Sequence, residues 1–203
     1  LEILSELNLG EAERKSFEAS LLNETKNTQQ MLSNLLLWSK TQMEGVTVNL
    51  LPVNLKESIL PAIRAQQSLA VEKKIKIEEN MNKSIMVLAD RDMLQLVIRN
   101  LVNNAVKFTE PGGQIGIDAK IQDGICLITI SDTGKGIPFE MQKDLFSLAI
   151  KSTFGTQNEK GVGLGLSLCK EFTELQNGTI RFESEPGKGT RFFISFKLAS
   201  ALS

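Results

Sequence analysis

Three groups of residues in this chain have types and spacings suited to holding a phosphorylated ring compound together with a divalent cation. Asn100 and Asn104 lie four residues apart in "RDMLQLVIRNLVNNAVK", so on a helix they project from one face, one turn apart. An asparagine amide oxygen can ligate Mg²⁺ without adding negative charge beside a triphosphate, which suits a metal that takes its other ligands from phosphate and water. Lys107, nearly one further turn along, could reach the same phosphates. Asp132 follows the strand-like "GICLITIS" and would sit at the end of a sheet, partly desolvated and in need of a hydrogen-bond donor such as an adenine amino group. Gly134 and Gly136 would let the backbone behind it take positive φ and approach a flat ring closely. In "GVGLGLSLCKEF", Gly161, Gly163 and Gly165 stand at the mouth of a helix, where free N–H groups and the helix dipole form an anion site. This run is not a P-loop, having no Gly-Lys-Ser/Thr, and Leu166 stands where a dinucleotide fingerprint would have its third glycine. Taken singly, each group also has a plain structural reading: two surface asparagines, a turn, and a flexible hinge.

The elements that would position these residues alternate between helix and strand. Residues 11–44 carry no Pro or Gly, and Phe17, Leu21, Met31, Leu35 and Trp38 fall at three- and four-residue steps, as in one long amphipathic helix. Such a helix is longer than one small domain can bury and needs a partner. "LEILSEL", stopped at "NLG", reads as the last turns of an antiparallel mate whose remainder would precede Leu1. From Val46 the pattern predicts a strand in "VTVNLLPV", a helix over 54–73, and strands in "KIKIE" and "SIMVLA". A helix over 91–107 capped by Asp90 follows, then a hairpin turning at Asp123-Gly124. After Asp132 come a helix over 163–176 and two strands separated by "EPGKG". Short turns between neighbouring strands favour an α+β fold: a two-layer sandwich in which a mixed sheet carries helices on one face. The expected organisation is a partial helical hairpin over 1–45 and a main domain over 46–203. Residues 145–162 lack a sustained period, as a lid would.

Composition removes several kinds of function. The 203 residues carry 23 basic and 24 acidic side chains, a formal charge of −1, so the footprint of a phosphate-binding nucleic-acid partner is absent. There is no histidine, which excludes Ser-His-Asp chemistry and histidine-held zinc or haem within these residues. Cys126 and Cys169 read as small core hydrophobes in a reducing compartment. No apolar run is long enough to span a membrane and no signal peptide opens the chain, so a cytoplasmic location without membrane contact is expected. A start at Leu1 rather than Met suggests a fragment, which could be the cytoplasmic part of a membrane sensor.

In order along the chain, "NLVNNAVKFT" resembles the N box, "DTGKG" the G1 box, "LFSLAIKSTFGT" the F box and "GVGLGL" the G2 box of the sensor histidine kinases in the GHKL ATPase superfamily. The resemblance covers residues 46–198, and the preceding helix is similar to the second helix of the kinase's dimerisation and phosphoacceptor hairpin. It implies Asn104 as Mg²⁺ ligand, Asn100 in support of the metal and phosphates, and Asp132 as reader of the adenine amino group. It further implies Phe146 and Phe154 on a lid, Gly161, Gly163 and Gly165 around the phosphates, and "EPGKGT" as a turn near the nucleotide. The implied cofactors are ATP and Mg²⁺, and the implied partners are a second copy through the hairpin and a response-regulator receiver domain. The phosphoacceptor histidine would lie upstream of Leu1, so no catalytic residue is assigned within the chain. Hydrolysing members of the superfamily carry a glutamate base one turn before the metal-binding asparagine. Here that position is Asn100, which cannot take up a proton, so transfer to a better nucleophile is expected. A degenerate nucleotide-binding module and an anti-sigma-type serine kinase are the rival expectations.

Overall fold

Period-two alternation over 114–132 and 179–197 becomes the centre of a five-stranded sheet in the computed structural model, which describes residues 10, 14, 17, 21, 25, 28, 32, 48–147, 155–156 and 165–199. The chain divides into two compact units, Leu1–Val46 and Thr47–Ser203. In the first, the described residues Arg14, Phe17, Leu21, Thr25, Thr28 and Leu32 are helical and follow the three- and four-residue steps of one face. Met31, Leu35 and Trp38 lie outside the described residues.

The second unit runs β1 (Leu51–Asn54), α1 (Leu55–Arg64), α2 (Gln67–Glu72), β2 (Lys76–Asn80), β3 (Met86–Ala89), α3 (Arg91–Phe108), β4 (Gln114–Gln122), β5 (Ile125–Asp132), α4 (Phe139–Gln142), α5 (Gly165–Leu175), β6 (Thr179–Glu185) and β7 (Gly189–Lys197). The main sheet has the order β2-β4-β5-β7-β6, and only β2 with β4 is parallel. β1 and β3 form a separate antiparallel pair, bridged to the end of β7 at Val87 and Leu198. On one face of the sheet Ile115, Ile117, Ile128, Ile130, Phe192, Ile194 and Phe196 are buried. They meet the apolar stripes of the helices, Leu55, Ile59 and Ile63 of α1, Leu94, Val97, Leu101 and Ala105 of α3, and Leu168 and Phe172 of α5. The result is the two-layer sandwich expected, with a mixed sheet and helices on one face.

Local chemistry accounts for the boundaries. Asp90 caps α3 by accepting from the backbone N–H groups of Asp92 and Met93 at 3.1 and 3.2 Å, a contribution of about 1 kcal/mol. The β4–β5 hairpin turns at Asp123 and Gly124, both at positive φ (49° and 76°), as a twisted two-residue turn requires. One expectation fails: the helix over 54–73 is two helices. Pro61 lies inside α1, which continues past it to Arg64, and a tighter bond from Gln66 N to Ile63 O closes α1 before α2 begins. The short α4 has too few residues to show a period in the sequence. Among the described residues no helix is long and apolar enough to cross a membrane.

Candidate nucleotide site

Asp132 occupies its position because of register. Cys126, Ile128 and Ile130 point into the core, so the next alternate residue, Asp132, points the same way at the strand's end. It is half-buried, and Oδ1 accepts from Gly134 N (2.9 Å) and Thr190 N (3.2 Å). Loss of hydration pushes its carboxyl up to about 6, and the two backbone donors only partly offset that. A carboxylate held this way at the end of a core favours a further donor.

The turn after Asp132 is fitted to its surroundings by two different properties of glycine. Gly136 has φ 66°, as the sequence predicts, and a Cβ there would come within 2.1 Å of Glu185 O. Gly134 does not have positive φ, contrary to the sequence expectation. It is needed because a Cβ would stand 2.3 Å from the Phe108 carbonyl oxygen, and backbone cannot move aside. That close approach seats the turn on the end of α3, where Lys135 N donates to Phe108 O at 3.1 Å. The β6–β7 turn packs on the same loop, Gly187 N donating to Lys135 O at 2.8 Å. Thr190, the last residue of the "EPGKGT" turn expected near the nucleotide, sits opposite Asp132 in the ladder, a pairing that period-two alternation in "GTRFFISF" is consistent with.

On α3, Asn100 and Asn104 are both half-buried, whereas Asn103 is exposed. The Asn100 side-chain nitrogen is shut off from solvent and has no hydrogen-bond partner of normal geometry among the described residues. Its side chain leans on Cys169, a weak acceptor, whose thiol is pushed up by burial and lowered in part by Asn100. Gly165, the first residue of α5, lies over this asparagine, since a Cβ on it would be 3.5 Å from Asn100 Oδ1. Lys107 is buried, with Nζ 4.8 Å from the centre of the Phe108 ring, and Lys135 Nζ lies 5.0 Å from that ring. These contacts gather Asn100, Gly165, Lys107, Gly134 and Asp132 around the second half of α3. Phe146 instead packs edge-on against Phe182 of β6, 5.8 Å between centres, as an apolar anchor. Leu166 is half-buried in α5. Phe154, Gly161 and Gly163 lie outside the described residues.

A depression of about 670 Å³ on the opposite face of the sheet also reaches Asp132. It is lined by Glu78, Asp118, Glu183 and Glu185 against Lys188 and Arg191, a balance that repels polyphosphate. The α3 side, with neutral amides and Lys107, is the side suited to one.

The model of the family described as histidine kinase-, DNA gyrase B- and HSP90-like ATPase matches residues 89–200, from the cap of α3 to the end of the sheet. The chain is 30% identical to the adaptive-response sensory kinase SasA of Crocosphaera subtropica over 90% of its own length and 49% of that protein's. It thus spans about half, or less, of the curated relatives it matches. Among solved structures, the catalytic domain of histidine kinase ThkA is similar with a TM-score of 0.64 and 28% identity, covering 73% of this chain and 95% of that one. Full-length ShkA in complex with AMPPNP gives 0.72 at 25% identity, covering 98% of this chain and 42% of that one. With the sheet order, the helical layer and the α3 site already in place, these matches fix the identity: the chain belongs to the family of histidine kinase-, DNA gyrase B- and HSP90-like ATPases.

Proposed function

We propose that this chain is the ATP-binding catalytic core of a sensor histidine kinase, passing the γ-phosphoryl group to a histidine outside these 203 residues for relay to a response-regulator aspartate. The observation that carries the proposal is Asn100: where a water-activating carboxylate would stand in a hydrolase, there is an amide whose nitrogen is buried and lacks a normal hydrogen-bond partner among the described residues. A buried donor left this way costs about 1–3 kcal/mol, a cost that an acceptor on a ligand would relieve. Asp132 supplies the acceptor for an adenine amino group, and Asn104 and Lys107 face the phosphates. Among the described residues no cluster of three or more His, Cys, Asp or Glu could hold a metal. The Asn104 amide oxygen fits Mg²⁺, which binds through few protein ligands. The ion, when bound, would neutralise charge on the transferring phosphoryl group.

The helical unit serves dimerisation in this reading. Phe17, Leu21 and Leu32 are 43%, 46% and 56% exposed along one face, an apolar stripe that a second copy would cover in a four-helix bundle.

The test uses the chain with ATP and Mg²⁺, alone and with a separate helical polypeptide that carries the protein's histidine. The chain alone is expected to bind ATP with little turnover, and the added helix to acquire an acid-labile label. An acid-stable label on serine or threonine, or rapid hydrolysis by the chain alone, would overturn the kinase reading.

A further inference from the structure

One of the largest fully buried side chains among the described residues belongs to none of those discussed so far. Lys73, just after α2, is 1% exposed. Its Nζ donates to the carbonyls of Val106 (2.9 Å) and Lys107 (3.2 Å) and to the hydroxyl of Thr156 (2.5 Å), so three donors meet three acceptors. The two carbonyls lie in the last turn of α3, where backbone acceptors have no partner within the helix and a cationic side chain is favoured. Thr156 N donates to the same Lys107 carbonyl at 3.1 Å, and Thr156 Oγ1 lies 3.2 Å from the carbonyls of Lys107 and Thr109. The next carbonyl, Phe108 O, accepts from Lys135 N of the turn after Asp132. The end of α3 that bears Asn104 and Lys107 is therefore closed by Lys73, by the Asp132 turn, and by Thr156 of the F-box stretch. A methionine would fill the Lys73 volume without the desolvation that an amine incurs. What the lysine adds is directional bonding.

We infer that Lys73 is a positioning residue for the nucleotide site, fastening Thr156 to the end of α3 so that Thr156 and the phosphate-facing residues Asn104 and Lys107 are held in fixed relation. The inference rests on reading α3 as the nucleotide-binding helix. Asp132 is oriented independently by Gly134 N and Thr190 N. Loosening Thr156 should thus weaken phosphate contacts and spare recognition of the base.

The experiment compares adenosine with ATP–Mg²⁺ by calorimetric titration in the full chain, for the parent, Lys73→Met, Thr156→Val and the double variant. Each single substitution is expected to lower the ratio of ATP to adenosine affinity by about tenfold, the effect of one charge-assisted hydrogen bond. The double variant is expected to lose little more, because both substitutions break one tie. A residue that only filled space would weaken both ligands alike, so an unchanged ratio in folded Lys73→Met overturns the inference. If Lys73→Met does not fold, an unchanged ratio in Thr156→Val overturns it equally. Amide exchange at Thr156 without nucleotide separates the two layers of reasoning. Exchange no faster in Lys73→Met or Thr156→Val than in the parent overturns the tie itself, whereas a parent that binds neither ligand overturns the nucleotide reading beneath it.

Discussion

Asp132→Asn should make the empty domain more stable and the nucleotide-bound one less so. The carboxyl is raised from 3.8 to about 6 by burial, so the folded state holds an ionised group that would be better hydrated in the unfolded chain. A rise of about 2 in pKa corresponds to about 3 kcal/mol, and water reaching this half-buried side chain reduces the measurable part to about 1–2 kcal/mol. The sign follows from proton counting. Because the folded pKa exceeds the unfolded one, the cost is fully present above pH 6 and absent below about pH 4. An asparagine keeps an oxygen to accept from Gly134 N and Thr190 N but carries no charge. In a domain of this size, Asp132→Asn should therefore raise Tm by about 3–6 °C at pH 8 and leave it near the parent value at pH 4.

The same change should weaken ATP by about ten- to a hundredfold at pH 8, the loss expected when a charged acceptor is removed from a buried hydrogen bond. Parent ATP affinity should also fall as pH drops through 6 and the carboxyl takes up its proton. Thermal unfolding with and without ATP, followed across pH, measures both effects. A variant that is less stable than the parent at pH 8 would show that the two backbone donors outweigh the desolvation. An unchanged ATP affinity would remove Asp132 from the site.

Asn104→Ala should abolish the Mg²⁺-dependent part of ATP affinity while leaving Tm within a few degrees, because the side chain is half-buried on the side of α3 proposed to meet the nucleotide; titrations with and without Mg²⁺ measure this. Gly134→Ala should destabilise by about 1–3 kcal/mol through the clash with the Phe108 carbonyl, whereas Gly187→Ala, at φ 80° in open space, should cost only about 1 kcal/mol; denaturant midpoints compare the two. Phe17→Lys with Leu21→Lys should shift sedimentation from dimer to monomer without altering ATP affinity, and a parent chain already monomeric at high concentration would refute the helical interface.

How far this fold can be read from the sequence depends on which interactions are local. The Asp90 cap, the Asp123-Gly124 hairpin and the inward register of β5 rest on near neighbours, and all are visible as residue types at fixed offsets. The break between α1 and α2 was hidden because helical apolar spacing continues across it. The reason for Gly134 was hidden more deeply. Its partner is a carbonyl 26 positions away, and no pattern within "DTGKG" distinguishes a glycine needed for φ from one needed for lack of a Cβ. Lys73 was invisible for a similar reason: in "VEKKIKIEE" a lysine reads as one more solvated charge, and only the fold brings the end of α3 over it.

Asn100 and Asp132 share a physical signature that Arg99 Nε and Ser147 Oγ, also buried without a partner among the described residues, show in part. One is a half-buried amide whose nitrogen lacks a normal partner among the described residues, the other a half-buried carboxyl whose ionised form is disfavoured. Each lies on an element with a closely packed apolar face, so the core of α3 and β5 offsets the cost of holding the polar group away from water. Neither is explained as a structural fastening. Asp132 holds two backbone donors yet loses more to burial than they return, and the Asn100 amide contributes only a weak interaction with Cys169. Lys73 is the counter-example in the same fold, a polar group buried more deeply but satisfied three times over by α3 and Thr156. A polar side chain kept at a loss in the empty protein is best accounted for by a state in which the loss is recovered. For Asn100 and Asp132 that state requires an acceptor at one end of the site and a donor at the other, which are the two chemistries that a phosphate and an adenine amino group combine in one molecule.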